Sequence, residues 1–151
     1  MGYDFILARM RQDLAPFPTR IPDPTGEAVS PLGDIAPLYD AMRGSAVLAQ
    51  GMLDFTRDGC VVWSTPDGGT LDLNPTSGEA ISVDTHAGWV HVAEMFDVVR
   101  SVWPDAGLMD FQTGHLHDPA SFRAFVKRTG EDKVNRAALL AAARAAKDAQ
   151  A

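Results

Sequence analysis

Four short runs in the middle third of the chain, MLDFT (52–56), CVVWST (60–65), TLDLN (70–74) and AISVDT (80–85), are rich in β-branched and apolar residues. They are separated by Arg57-Asp58-Gly59, Pro66-Asp67-Gly68-Gly69 and Pro75-Thr76-Ser77-Gly78. Asp-Gly, Gly-Gly and Ser-Gly supply the positive φ values that tight reversals require, so the pattern predicts an antiparallel meander. Leu53 and Phe55, Val61 and Trp63, and Leu71 and Leu73 recur at period two, with Asp54 and Asp72 alternating onto the other face. A sheet built this way has one wet side.

The flanking segments add to that sheet. Residues 3–9, YDFILAR, put Tyr3, Phe5 and Leu7 on one face and Ile6 on the other, as a first strand does. Residues 14–33 carry Pro16, Pro18, Pro22, Pro24 and Pro31, a density that excludes a helix or a central strand and predicts an irregular loop. Asp34 is placed to cap a short helix through Arg43, with Pro37 in its first turn, Ile35, Leu38 and Met42 as the apolar stripe, and Gly44 at its end. Residues 91–103 carry the strongest helical periodicity: Val92, Met95, Phe96, Val99, Val102 and Trp103 share one face, and Pro104 ends the run. That face belongs on the apolar side of the sheet. A further strand follows over residues 107–111, then a helix over 119–129 with Phe122, Phe125 and Val126 inward, and an alanine-rich C-terminal helix within 131–151. The expectation is a single α+β domain spanning residues 1–151: a mostly antiparallel sheet of five or six strands, helices on one face and two C-terminal helices.

A chain of 151 residues buries roughly two-thirds of its unfolded surface, enough for one core without staples. Cys60 has no partner for an internal disulfide, and residues 1–16 lack a basic region before their short apolar stretch, so a cytoplasmic protein without a signal peptide is expected. No apolar run reaches the roughly 18 residues of a membrane span. Charge is uneven. Residues 1–118 hold 6 Lys+Arg against 17 Asp+Glu, a net of −11, whereas residues 119–151 have a net of +4. An acidic body repels nucleic acid and steers basic partners toward it.

The densest cluster of chemically capable side chains is LMDFQTGHLHDP, residues 108–119. Asp118-Pro119 is a helix start, with the carboxylate accepting from open amides and proline at the first helical position. His115 and His117 flank Leu116 and point to the same side of an extended connection. Two histidines can supply two metal ligands, and Asp110 or His91 would complete a site for a small metal-assisted hydrolase. No HExxH, CxxC or EF-hand pattern accompanies them and no cofactor is implied, so a solvated connector is the expected reading of the pair and the metal site the alternative. Cys60, beside Gly59 at a strand start, is expected to be small, buried and inert.

The start Met-x-Tyr-Asp-Phe, the acidic α+β body, the amphipathic helix and the strand running into DFQTG (110–114) together resemble small bacterial immunity proteins, the partners of polymorphic toxins. The likeness covers residues 3–7 and 92–114. It implies a cytoplasmic protein that binds and blocks a toxin domain without catalysis. It transfers no functional residue, because such proteins recognise their toxins through variable surfaces. The expected function is therefore a non-catalytic protein-binding module for a basic partner such as a toxin domain, with no nucleic acid and no membrane. The hairpin aspartates Asp54, Asp58, Asp67 and Asp72 are its candidate contacts. The metal-assisted hydrolase and a structural homodimer packed through residues 136–149 are the alternatives.

Overall fold

The computed structural model describes residues 3–10, 16–20, 29–56, 58–75, 80–110 and 112–130. In chain order they form β1 (Tyr3–Met10), β2 (Thr19–Arg20), β3 (Val29–Ser30), α1 (Ala36–Gly44), a 3-10 turn (Leu48–Gln50), β4 (Met52–Phe55), β5 (Val61–Ser64), β6 (Thr70–Asn74) and β7 (Ala80–Thr85). Then come α2 (Trp89–Val102), β8 (Ala106–Asp110), β9 (His115–His117), α3 (Pro119–Phe125) and a π-type turn (Val126–Gly130). The strands make one open sheet in the order β2-β9-β8-β1-β7-β6-β5-β4, with β3 pairing the far end of β1 beyond β7. Every pairing is antiparallel.

The α+β class and the meander β4 to β7 agree with the sequence, but among the described residues the sheet has nine strands rather than five or six. The additional strands are short: β2 and β3 have two residues each and β9 three. Two of them lie in the proline-rich stretch, where prolines exclude a central strand but leave room for brief edge pairing. The third is the His115–His117 segment, a strand hydrogen-bonded to β8 and not a solvated connector. Gly59 and Gly68 take φ of +82° and +92° in the β4-β5 and β5-β6 reversals, as their turn sequences require.

One face of the sheet carries the core. Phe5 and Leu7 of β1, Val61 and Trp63 of β5, Leu71 and Leu73 of β6, and Ile81 and Val83 of β7 alternate onto it. The three α-helices of the described residues cover it: Leu38 and Met42 from α1, Val92, Met95, Phe96 and Val99 from α2, and Phe122 from α3. Trp63 is fully buried, its indole Nε1–H donating to the Leu48 carbonyl at 3.0 Å, so the largest side chain of the sheet also fixes the 3-10 turn. At the β1-β8-β9 end the opposite face has a small apolar patch of its own, Ala8, Met10, Met109 and Leu116, against which Phe17 of the proline-rich segment packs. Gly107 makes this patch possible: a Cβ there would stand 2.7 Å from Leu116 and 2.9 Å from Met10.

Details of the helices depart from expectation. The residue flanking α1 is Ile35 and has no side-chain cap, although Asp34 Oδ1 accepts from the Ala36 amide at 3.0 Å. Asp118 caps α3 as expected, accepting from the Ser121 amide at 2.8 Å in a reciprocal capping box, but the α-helix ends at Phe125 and widens into the π-type turn. Cys60 is half-buried, not buried, because it lies in the turn just before β5. The alanine-rich segment 131–151, with the dimer contact proposed over 136–149, lies outside the described residues, as do residues 14–15 and 21–28 of the proline-rich stretch.

Candidate functional site

The face of the sheet away from the helices is open from β4 to β7, and the register sets its polar side chains in rows. Asp54 stands opposite Val62, Val62 opposite Asp72, Asp72 opposite Asp84, and Asp84 opposite Asp4. Strands about 4.8 Å apart give this row a length of about 19 Å across five strands. Asp4, Asp54 and Asp72 are exposed and Asp84 is half-buried. The neighbouring rows carry no Asp, Glu, Lys or Arg: Met52, Ser64 and Thr70, with His86 bonded to Thr70, on one side, and Asn74, Ser82 and Ile6 on the other.

Carboxylates directly opposite one another on antiparallel strands repel and destabilise the pairing. The row has two such contacts, Asp72 with Asp84 and Asp84 with Asp4. Among the described residues no Lys or Arg is ion-paired with any of the four aspartates; the nearest basic group is His86, whose Nε2 lies 3.6 Å from Asp84 Oδ2. Apart from that contact of His86 with Asp84, the row has no basic partner among the described residues, and Asp4, Asp54 and Asp72 are exposed to solvent.

Of the four aspartates singled out in the sequence, Asp54 and Asp72 fall in this row. Asp58 lies exposed in the β4-β5 turn. Asp67 sits at the tip of the β5-β6 hairpin, and its carboxylate is engaged there. The Thr65 hydroxyl donates to it and His91 Nε2 of α2 lies 3.1 Å away. The hydroxyl first, then the histidine, hold its pKa below the ordinary carboxylate value against the opposing effect of burial. Asp67 thus ties the hairpin to α2 and does not belong to the open face. Asp4 and Asp84 were not singled out. Their period-two placement beside Phe5 and Val83 puts them on the wet face, but only the pairing register brings them into line with Asp72.

The histidines divide between two places. His115 and His117 sit together on β9, ring centroids 6.4 Å apart. His117 is only 2% exposed, packed against the rings of Phe122 and Phe125, with Nδ1 3.0 Å from Ser121 Oγ. Burial pushes its pKa down, with nearby Asp110 working against that shift. Asp110 is itself fully buried and anchors the β8-β9 turn, Oδ1 accepting from the Gln112 amide at 2.8 Å. His91 is elsewhere, on α2, with its ring edge-on to Trp63 and Glu94 Oε1 3.3 Å from Nδ1. That approach lacks hydrogen-bond alignment, which leaves Nδ1 without a partner. His91 therefore does not join His115, His117 and Asp110. Among the described residues no group of three or more His, Cys, Asp or Glu side chains is placed to hold a metal ion.

No protein-family model matches the chain, and no curated protein is significantly similar to it in sequence. Among the described residues no helix is long and apolar enough to cross a membrane.

Proposed function

We propose that this chain is a non-catalytic protein-binding module of the immunity type, and that the open acidic sheet face receives a basic partner such as a toxin domain. The observation that carries this is the row Asp54, Asp72, Asp84 and Asp4, in which like charges face one another with no Lys or Arg ion-paired to them among the described residues. Folding alone disfavours such an arrangement. A basic partner converts it into attraction and gains speed from it, because a one-sign field accelerates encounter.

The test begins with the wild-type chain and an Asp4→Asn, Asp72→Asn, Asp84→Asn variant, each immobilised and exposed to extract of the native host. Any protein retained by the first and lost from the second is then purified and its binding kinetics measured. Association with the wild type should slow steeply as salt rises, since screening shortens the reach of these charges to about 8 Å at physiological ionic strength. Dissociation should change less, and the variant should melt no lower than the wild type. A partner that binds both chains at the same rate would remove the acidic face from the proposal. Turnover of a small substrate by the purified chain, with no protein partner, would defeat the binding-module reading.

A further inference from the structure

The acidic row runs off the sheet at β4, and that edge is built differently from the opposite one. The edge strand β2 is two residues long and follows Pro18, with Arg20 at its end, features that blunt strand addition. The β4 edge has no proline and no Lys, and its register with β5 runs without a bulge from Met52 to Phe55. The Thr56 amide donates to the Cys60 carbonyl at 2.9 Å, which makes Thr56 and Cys60 a hydrogen-bonded pair. Antiparallel pairs alternate, so Asp54 and Met52 also bond inward to β5, and Leu53 and Phe55 direct their amides and carbonyls outward. Among the described residues no strand pairs with that side. Leu53 and Phe55 pack against the core yet stay half-buried, and Met52 is 74% exposed. Main-chain donors, incompletely covered apolar side chains and the end of the acidic row therefore coincide on one edge.

Resting on the reading given under Proposed function, we infer that the partner engages this edge by strand addition. The occupant is an extended segment alternating Lys or Arg with apolar residues. A basic side chain opposite Asp54 extends the row with the sign it lacks, because directly opposed residues share a face. The apolar residues on either side of it turn to the helix face and complete the burial of Leu53 and Phe55, while main-chain bonds to those two residues fix the register. A second copy of this chain is the poorer occupant, since β4 against β4 sets two acidic rows end to end on chains of net charge −7.

The probe is a short synthetic peptide alternating lysine and valine, added to the full-length chain. A companion peptide of equal charge carries N-methyl groups on the amides that would bond to β4. Strand addition predicts slowed hydrogen exchange at the Leu53 and Phe55 amides, and binding weakened by about tenfold or more on N-methylation, as expected for loss of main-chain hydrogen bonds. Equal binding of both peptides, with those two amides still exchanging freely, would overturn the edge proposal and leave the acidic face standing as a charge-only surface. If neither peptide binds at low salt, strand addition is overturned, while the face reading is decided separately by the kinetics with the natural partner.

Discussion

The two faces of this sheet are built from the same strands and follow opposite rules. On the helix side Phe5, Leu71, Leu73 and Val83 are buried in one core. One residue away in each strand, Asp4, Asp72 and Asp84 line up against one another in solvent. The covered face is arranged for stability, since each apolar side chain removed from water contributes on the order of 1.5–3 kcal/mol. The open face works against stability, because mutual repulsion is absent from the unfolded chain. Where a fold tolerates a local conflict of this kind, the conflict is informative about function.

The sharpest way to break this contrast is at neighbouring residues of β1. Phe5 is fully buried, with its ring edge-on to Trp89 at 5.9 Å and to Phe122 at 5.4 Å. Phe5→Ala should lower unfolding free energy by about 3–5 kcal/mol in a urea titration. A loss below about 1 kcal/mol would mean that the helix side is not a packed core.

Much of that covered face was legible in the sequence because it rests on periodicity. The stripe on α2 and the alternation along β5 and β6 identify their buried residues without knowledge of neighbours, and Asp118-Pro119 marks a cap by local chemistry alone. The acidic row was legible only in part. Asp54 and Asp72 were identified as outward-facing, but their alignment with Asp84 and Asp4 depends on which strands pair and in what register. β1 pairs with β7 and β8, strands more than 70 positions away in the chain, and no local pattern encodes that choice. For the same reason β9 was missed as a strand: three residues carry too little periodicity, and its identity comes from pairing with β8. The separation of His91 from His115 and His117 is likewise a property of topology and not of spacing.

The next effect concerns the covered face at its polar margin. Burial lowers the pKa of His117, and the titratable and charged groups near it are Asp110, His115, Asp118 and Arg128. Its folded pKa lies below the ordinary value of 6.5, so as pH falls through 6.5 the unfolded chain takes up a proton that the folded chain does not. Stability is complete above that pH and declines below it, down to the folded pKa. The wild type should therefore lose unfolding free energy between neutral pH and the onset of carboxylate titration, and His117→Gln should show a shallower slope over that window. Equal slopes would show that His117 does not titrate as a buried neutral group.

A smaller loss is expected where α3 is seated. Asp118 accepts from the Ser121 amide, and Ser121 Oγ returns a contact to the Asp118 amide at 3.1 Å. Asp118→Ala should cost about 1 kcal/mol, the usual effect of removing a helix cap. Asp118→Asn keeps the acceptor and should recover most of it. If Asn fails to rescue, the carboxylate acts through its charge near His117 and not through the cap, and this would connect the two predictions.

The last effect is the smallest and has the opposite sign. Asp84 stands between Asp72 and Asp4, so neutralising it relieves two like-charge contacts at once. Asp54 is separated from Asp72 by Val62, so neutralising it relieves none directly. Asp84→Asn should raise unfolding free energy by about 0.2–1 kcal/mol at low ionic strength. The gain should shrink as added salt shortens the Debye length to about 3 Å at 1 M. Asp54→Asn should leave stability nearly unchanged at either salt concentration. The comparison between the two variants cancels the general benefit of lowering net charge and needs no partner, so it tests the row itself. Among the described residues His86 is the basic group paired with Asp84, and that pairing is lost in the same variant, so the comparison is made in a His86→Gln background. Should Asp84→Asn prove destabilising there, the aspartates are compensated within the fold, the open face is no longer in conflict with stability, and the physical reason for assigning it a basic partner is gone.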